Sequence, residues 1–382
     1  MTLIHVQSLQ NSEVLRADLN SARHVGLDCE AAGFHRYSDR LCLLQLTTER
    51  NTYVIDPLGF DPSDLIRNAL ENPEVSVIMH SADFDLRLLR RDLGIHVTAL
   101  FDTQIAAQLL GEEALGLASL LESRFELKLS KKYQRADWAE RPLSDAMLNY
   151  AANDTRHLAR LTDVLKVDLA AAGRIEWVEE ECLALESAAR AVTEPELRED
   201  PVVRIKGARH LPLRQLAELR EALEWRDEIA RNRDRALFRV IGDTPLIEAL
   251  AVRPNSTSDL TNVKGFPTRL AAEEGRDLLN RIKAVAHLDE SELQPYPKPE
   301  RRGPGRPSPE VIALADKLKT ARNQKAEELG LPRGTLLANT VVLEIARVAP
   351  RTLEELLNVQ GMRRWKANIL GEKLITMIQR TR

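Results

Sequence analysis

Two acidic residues, one position apart in a short apolar run, are the first residues in this sequence whose types and spacing indicate chemistry. Asp28 and Glu30 belong to the run HVGLDCE, in which His24–Cys29 is predicted to form a buried β-strand. Residues two apart on a strand point to the same face of the sheet, so the two carboxylates lie side by side. Carboxylates held together repel each other unless a cation joins them. The spacing therefore favours a site for a hard metal ion with oxygen ligands.

Two more acids and a tyrosine lie where α/β domains place functional groups. Asp85 follows a predicted strand in the sequence HSADFD, at a strand-to-helix junction. Tyr150 and Asp154 are four residues apart in LNYAANDT and share one face of a predicted helix. Each has an ordinary alternative: Asp85 as a charge at a helix N-terminus, and the Tyr150–Asp154 pair as a core residue beside a surface residue. Only the combination carries functional meaning.

The elements that must position these residues follow from the hydrophobic pattern of the first half. Apolar runs alternate with amphipathic stretches, as in an α/β domain. They predict strands at His24–Cys29, Leu41–Thr47, Thr52–Asp56 and Val75–His80, and mainly helical structure from about Thr103.

A long helix is predicted to carry the tyrosine and the last acid. Ser144 is its expected N-cap, and Gly173 ends the helix just after Ala172. A helix around Val178–Val192 then leads into an acidic, proline-bearing link near Glu194–Pro201.

An internal repeat with a spacing of 96 residues organises the second half. The matching pairs are Arg226 and Arg322, Ala230 and Ala326, Pro254 and Pro350, Leu260 and Leu356, Val263 and Val359, Gly265 and Gly361, and Ile282 and Ile378. Each copy has a strongly helical pattern, with a proline stop signal. The segment QPYPKPERRGPGRPSPE between the copies predicts a semi-extended basic linker.

Composition and charge limit the class of protein. The 382 residues are enough for two or three cores, and 43% hydrophobic with 29% charged residues indicates a soluble globular chain. No apolar run reaches the roughly 18–20 residues of a membrane span, and the N-terminus lacks the features of a signal peptide. Three cysteines without metal-ligand spacing favour the cytoplasm.

The net charge of −4 is unevenly distributed. Residues 1–200 hold 21 Lys+Arg and 34 Asp+Glu, whereas residues 201–382 hold 33 and 24. An acidic front half fits carboxylates for metals, and a basic back half fits cations for phosphates. Solvated surfaces without function would give the same counts.

Taken together, Asp-x-Glu on a strand, Asp at a strand–helix junction and Tyr-x-x-x-Asp on a late helix resemble the tyrosine-bearing branch of the DEDD exonuclease superfamily. The neighbouring sequence resembles the ribonuclease D family in VGLDCEAAGFHRY, LCLLQLTT, HSADFDLRLL, FDTQIAAQLLG and YQRADWAERPLSDAMLNYAANDTRHL. The repeated back half resembles tandem helicase-and-ribonuclease-D C-terminal domains, so that the resemblance covers nearly the whole chain. It implies an α/β ribonuclease-H-like exonuclease domain followed by two all-α helical-bundle domains.

The resemblance also implies the domain order. The expected segments are a catalytic domain at 1–172, a helical connector at 173–206, a first helical nucleic-acid-binding domain at 207–287, a Pro/Arg-rich linker at 288–309 and a second helical domain at 310–382.

A two-metal-ion site is the chemistry that the resemblance implies. In the assignment that the resemblance implies, Asp28 would bridge both ions, Glu30 and Asp154 would complete the site that activates water, and Asp85 would support the second ion. Tyr150 stays neutral at pH 7 and orients the nucleophilic water through a hydrogen bond. Magnesium is the expected ion, and manganese is expected to substitute because both accept octahedral oxygen ligands.

Substrate contacts are predicted at Phe34, His80, Arg135 and Arg141. Phe34 can stack on a terminal base or pack within its loop, and His80 can contact the scissile region or close a strand structurally. The two arginines flank Trp138, where they can grip phosphates or form surface ion pairs.

The expected function is a metal-dependent 3′→5′ exoribonuclease that trims RNA 3′ ends, with transfer RNA precursors as substrates, and releases nucleoside 5′-monophosphates. The alternatives are a single-strand DNA exonuclease and a catalytically silent RNA-binding adaptor. Retention of all four acids and the tyrosine argues against the adaptor. RNA is preferred on the resemblance, and neither a membrane nor an obligate protein partner is inferred. Asp102, in FDT, is assigned a capping or structural role because four ligands are already present.

Overall fold

A six-stranded sheet forms the scaffold of the N-terminal part in the computed structural model, which describes residues 1–191, 200–297 and 305–380. Its strands are β1 Thr2–Val6, β2 His24–Ala31, β3 Leu41–Thr47, β4 Asn51–Ile55, β5 Ser76–Met79 and β6 Leu100–Asp102. Their order across the sheet is β1-β4-β3-β2-β5-β6. Strand β3 runs antiparallel to β2 and β4, whereas β1 with β4, β2 with β5 and β5 with β6 are parallel pairs.

The four predicted strands are present, at positions close to those expected. β2 extends past the predicted end to Ala31, so that Asp28 and Glu30 both lie within it. β4 is shifted by one residue, and β5 is one residue shorter at each end. β1 and β6 were not predicted; β6 has only three residues, too few to show a period of its own.

Eight helices surround this sheet within the described residues. They are α1 Glu13–Ser21, α2 Ser63–Leu70, α3 Asp83–Leu93, α4 Thr103–Leu110, α5 Leu117–Phe125, α6 Asp145–Arg156, α7 Leu158–Ala171 and α8 Ile175–Ala191. Helices α6 and α7 lie against one face of the sheet. Residues of α1, α2 and α3 share the hydrophobic cluster that holds Leu27 and Leu44.

The prediction of one long helix starting after Ser144 was wrong in one respect. Its cap is confirmed, since the Ser144 side chain accepts a hydrogen bond from the Met147 amide, and Gly173 has a positive φ of 66° after the last helix turn. The helix breaks at His157, however. The break lets α6 lie over β3 and β4 while α7 lies over β2 and β5, which one straight helix cannot do on a twisted sheet.

The next predicted helix is α8, which ends at Ala191. Of the predicted acidic link, residues 194–199 lie outside the described part of the chain.

The predicted repeat is confirmed in every α-helix that the structure describes between Leu213 and Arg380. The first copy contains α9 Leu213–Asn232, α10 Leu237–Val240, α11 Asp243–Ala251, α12 Thr257–Thr261 and α13 Thr268–Ala286. The second contains α14 Pro309–Leu329, α15 Arg333–Leu336, α16 Asn339–Val348, α17 Leu353–Leu357 and α18 Arg364–Arg380. Each helix of the second copy begins 96 residues after its counterpart.

Internal polar contacts explain why the repeat keeps its register. In the first copy the buried Arg226 side chain bonds the Asp243 carboxylate at 2.6 Å, at the start of α11. In the second, the buried Arg322 side chain bonds Asn339 at 2.9 Å, at the start of α16. Each arginine therefore fixes the same helix start in its own copy.

The two copies differ in how they join the rest of the molecule. The first copy has a hydrophobic core of its own, against which Tyr37 from the N-terminal part packs. The core of the second copy is continuous with that of the sheet domain. No helix among residues 1–191, 200–297 and 305–380 is long and apolar enough to cross a bilayer.

Candidate metal centre and active site

Three carboxylates from two different elements meet at one point. Asp28 and Glu30 come from β2 and Asp154 from α6, and one oxygen of each lies within 4.8 Å of the others. The strand spacing predicted the first pair. The family resemblance implied that Asp154 joins them, and the structure places it there from a segment more than a hundred residues away in the chain.

Close packing of α6 on β2 brings Asp154 to this point. Gly26 precedes Asp28 by two residues on the same strand face, and a Cβ at Gly26 would stand only 3.0 Å from the carbonyl oxygen of Thr155. The Thr155 hydroxyl is hydrogen-bonded to that of Thr47 at 2.7 Å. A glycine and a threonine pair thus hold the end of the helix directly against the strand.

Asp85 lies beside this group on the first turn of α3, with only 7% of its surface exposed. Burial raises its pKa well above the usual range, and the charges of Asp28 and Asp102 add to the rise. The turn before α3 is held by Asp102, whose carboxylate accepts hydrogen bonds from the amides of Ser81 and Ala82 at 3.1 and 2.8 Å. Asp102 also caps α4, which confirms its predicted capping role.

The electrostatics of the cluster call for a cation. Burial raises the pKa of Asp28 to about 7. Burial and the charge of Asp28 together raise the pKa of Asp154 to about 8, and that of Glu30 to about 9 with a further contribution from Asp154. Such rises mean that the ionised forms are destabilised where no positive charge is near.

The donor set fits a hard divalent ion. Among the described residues no lysine, arginine or histidine forms an ion pair with Asp28, Glu30, Asp85 or Asp154. Cys29 lies between the two strand acids, but it belongs to the hydrophobic core on the other side of β2. Carboxylate oxygens alone are the ligands that magnesium and manganese accept, and the residues present therefore fit such an ion.

Tyr150 precedes Asp154 by one turn of α6. Its ring packs edge-on against Tyr133 at 5.7 Å and lies 6.0 Å from the ring of Trp138. Burial raises the pKa of Tyr150 to about 12, and the charges of Asp154 and Glu30 add to the rise. The phenol is therefore neutral near pH 7 and can offer a hydrogen bond, as its predicted role requires.

A cavity of about 540 Å³ opens next to the carboxylates. Its lining residues are Cys29, Glu30, Ala31, Gly33, Phe34, Asp39 and Phe84. Phe34, predicted to stack on a base, is 47% exposed, and Phe84 is 44% exposed. Phe84 was not predicted, although its position directly before Asp85 is a signal that could have identified it.

The other predicted substrate contacts have different surroundings. All three guanidinium nitrogens of Arg141 donate within the protein, two of them to Asp56 at 2.6 and 2.8 Å. Of the two roles considered for Arg141, a phosphate contact and an ion pair, the structure thus shows the ion pair. The His80 ring is hydrogen-bonded to the Thr103 hydroxyl at 2.9 Å, at the start of α4. This contact corresponds to the structural role that the sequence analysis gave as the alternative to a substrate contact. Arg135 has an exposed side chain near the cavity loop, and its phosphate contact stays a prediction.

The loop after β2 also joins the cavity to the first helical copy, which the sequence did not predict. The Tyr37 hydroxyl donates to Asp227 at 3.0 Å, and the Arg40 side chain pairs with Asp234 at 3.0 Å. Phe34 itself contacts Phe238, with ring centroids 5.4 Å apart. The only signal in the sequence for this contact was a difference between the copies: the position that Phe238 occupies in the first copy is occupied by Gly334 in the second.

Comparisons with known proteins agree with this arrangement. Residues 3–170 match the family described as 3′-5′ exonuclease, and residues 215–282 and 312–378 each match the HRDC domain. Ribonuclease D of Acidiphilium cryptum is 30% identical over 92% of this chain and 87% of its own length.

Solved structures share the architecture. A protein from Bifidobacterium adolescentis aligns over 98% of this chain and 96% of its own, at 24% identity and a TM-score of 0.81. Escherichia coli RNase D, described as an exoribonuclease involved in structured RNA processing, aligns over 100% and 99% at 24% identity and a TM-score of 0.66. At this identity the likeness concerns the fold.

Proposed function

Because this chain belongs to the ribonuclease D family and is a 3′→5′ exoribonuclease, we propose that it trims the 3′ ends of structured RNA such as transfer RNA precursors. The convergence of one oxygen each from Asp28, Glu30 and Asp154 within 4.8 Å, half-buried and without a cationic partner among the described residues, is the observation that carries the proposal. Such a cluster is costly for stability alone and suited to holding metal ions for phosphodiester cleavage.

The family depends on divalent metal, and we propose that two Mg²⁺ ions, or Mn²⁺ in their place, are held by Asp28, Glu30, Asp85 and Asp154. When bound, such ions activate water and stabilise charge on the attacking and leaving oxygens. Tyr150, neutral near pH 7, orients the attacking water through its hydroxyl. The cavity beside Glu30 receives the 3′-terminal nucleotide, whose 5′-monophosphate is the product.

Structured RNA is supported by two features outside the metal cluster. The first helical copy lies beside the cavity loop, where it can hold RNA upstream of the end being cut. Residues 301–382 hold 16 Lys+Arg and 8 Asp+Glu, an excess that attracts phosphates. We place the activity in the cytoplasm, where the three free, buried cysteines would remain reduced.

End-labelled RNA and DNA strands of one sequence, incubated with the full chain and magnesium, test this proposal. We expect stepwise loss from the 3′ end, nucleoside 5′-monophosphates as products, and a preference for RNA. Asp28→Asn should lower kcat by several orders of magnitude, whereas Tyr150→Phe should lower it by only about 10²–10⁴-fold. Asp163→Asn, at an exposed position of α7, is the matched control that should keep full activity.

Three results would contradict parts of the proposal. Activity of Asp28→Asn near that of the unmodified chain would exclude the metal assignment. Equal or faster cleavage of DNA would favour the single-strand DNA exonuclease. Binding of RNA without any cleavage, in the presence of magnesium or manganese, would favour the silent adaptor.

A further inference from the structure

An aromatic pair joins the catalytic part to the first helical copy at the edge of the cavity. Phe34, on the loop after β2, and Phe238, on α10, are 47% and 54% exposed, although their rings are in contact. The Arg239 guanidinium lies 4.9 Å from the centre of the Phe34 ring, and its Nε donates to the Phe34 carbonyl at 2.8 Å. Two exposed rings and a cation thus form one continuous surface.

This surface extends from the lining of the cavity to a point just outside it. Phe34 lines the cavity together with Glu30 and Phe84, whereas Phe238 lies next to Phe34 and is not part of the lining. One of the two touching rings therefore lies in the cavity wall and the other just beyond it. A nucleotide seated inside the cavity would contact Phe34, and the nucleotide before it in the chain would reach Phe238.

The helical fold itself does not require these side chains. At the equivalent positions, 96 residues later, the second copy has Gly334 and Thr335. Thr335 accepts a hydrogen bond from Gln108 of α4 at 2.8 Å, so it holds the second copy against the catalytic part. At these two repeat positions only the copy that lies beside the cavity has an aromatic residue followed by an arginine, which points to a role in substrate binding.

We propose that Phe238 and Arg239 form a subsite for the nucleotide immediately upstream of the 3′-terminal one. The proposal rests on the proposed exoribonuclease function. The base of that nucleotide stacks on Phe238, because every base offers a flat face to an aromatic ring. Arg239 contacts its phosphate, since no carboxylate pairs with this guanidinium among the described residues and only its Nε donates a hydrogen bond there, while the group lies over the Phe34 and Phe238 rings. The first helical copy thereby supplies part of the substrate site.

A purely structural role for Phe238 is the competing explanation. Other contacts already hold this copy in place: the Tyr37 hydroxyl bonds Asp227, and the Ala236 amide donates to the His35 carbonyl at 3.1 Å. Because these bonds stay intact, Phe238→Ala should leave the first copy bound to the catalytic part and remove only the stacking surface. The two roles can therefore be separated by experiment.

Binding without cleavage tests the subsite directly, using the full chain with Asp28→Asn as background. Single-stranded RNA carries the fluorescent base 2-aminopurine, whose emission falls on stacking, at the 3′-terminal or at the adjacent position. We expect Phe238→Ala to weaken binding about tenfold, within the range of one stacked base, and to abolish quenching at the adjacent position only. Phe238→Trp should restore both. Arg239→Gln should weaken binding and lower the salt slope by about 0.7.

Kinetics of the otherwise unmodified full chain provide the second readout. Phe238→Ala should raise KM for an oligonucleotide about tenfold and change kcat less than twofold. Inhibition by adenosine 5′-monophosphate, which fills only the terminal position, should not change. The matched controls are Val252→Ala and Arg276→Gln, exposed substitutions elsewhere on the first copy that should alter neither constant.

Three outcomes would overturn the subsite. They are an unchanged KM in Phe238→Ala, equal loss of quenching at both labelled positions, and failure of Phe238→Trp to restore binding. If the unmodified chain did not trim RNA, the proposed function would fail instead. The fluorescence experiment would still report on the subsite, because it does not depend on cleavage.

Discussion

The two helical copies have the same fold and the same register but are joined to the catalytic part in opposite ways. The first copy closes its own hydrophobic core and reaches the cavity loop through hydrogen bonds, an ion pair and aromatic contacts. The second copy shares one continuous core with the sheet domain. The first is thus a separate body beside the active site, and the second is a structural part of the catalytic domain.

The contacts of the second copy with α8 show how firmly it is attached. Trp365 stacks on Trp177 with ring centroids 4.5 Å apart. The Glu180 carboxylate accepts hydrogen bonds from the Arg364 and Trp365 amides at the start of α18, and so caps that helix from another part of the chain. Glu181 accepts a hydrogen bond from the Trp365 indole at 3.0 Å.

The difference teaches that the repeat preserved the inside of each copy and not its surface. The positions that keep register are internal, such as Arg226 and Arg322, or need a positive φ, such as Gly265 and Gly361 at 84° and 86°. The net charge also differs between the two copies, because charged residues lie mainly on the surface. Residues 201–300 hold 17 Lys+Arg and 16 Asp+Glu, so the basic excess of the back half belongs to residues 301–382.

Removing one buried tryptophan from each copy should give the largest contrast. Trp365→Ala should cost about 3–5 kcal/mol and destabilise the sheet as well, because both lie in one core. Trp225→Ala removes a side chain that is 1% exposed and should cost as much, but only within the first copy. Native-state hydrogen exchange, read separately for the sheet and for α13, measures both effects. The phenylalanine variants at both positions are the controls.

Equal loss of protection in the sheet for both alanine variants would show that the first copy is not a separate body. No loss in the sheet for Trp365→Ala would show that the shared core is not cooperative.

Metal binding and pH should change the stability of the second copy and not that of the first. The pKa values of Asp28, Glu30 and Asp154 are raised to about 7, 9 and 8, so the metal-free folded state binds extra protons between about pH 4 and 9. This stability is fully present below pH 4 and is lost as pH rises through that range. Magnesium at about 100 times its Kd should add about 2.7 kcal/mol at pH 8.5. The gain should appear in amide protection of α18 but not of α13.

Asp28→Asn is the control for this prediction. In chelator its stability should fall less between pH 5.5 and 8.5 than that of the unmodified chain, and magnesium should add little. A magnesium effect of equal size in both copies would contradict the separation of the two bodies.

Salt dependence should give the smallest contrast. One triple variant of the full chain changes Lys317, Arg333 and Arg351 to Gln, and the matched variant changes Lys264, Arg276 and Lys283 to Gln. All six positions are exposed, but the first set belongs to the basic segment. On transfer-RNA-sized substrates the first variant should lower the salt slope of binding by about 2, at roughly 0.7 per phosphate contact, and the second by less. Equal slopes would show that charge excess does not decide where RNA binds.

The sequence by itself determined features that depend on neighbours a few residues apart. The two-residue period of a strand was enough to place Asp28 and Glu30 on the same face. Capping chemistry was enough to predict the cap at Ser144, and the constant spacing of 96 residues was enough to predict the register of the repeat. The assigned roles of the acids and Tyr150, and the segment bounds 1–172, 207–287 and 310–382, stay predictions.

Only the tertiary structure decided which distant segments meet. It brought Asp154 to Asp28 by packing α6 on Gly26, and it bound Arg141 to Asp56 although the sequence allowed a phosphate contact. It also placed Phe238 beside Phe34. No local pattern encodes such meetings, because they follow from how whole surfaces fit together once water has been excluded between them.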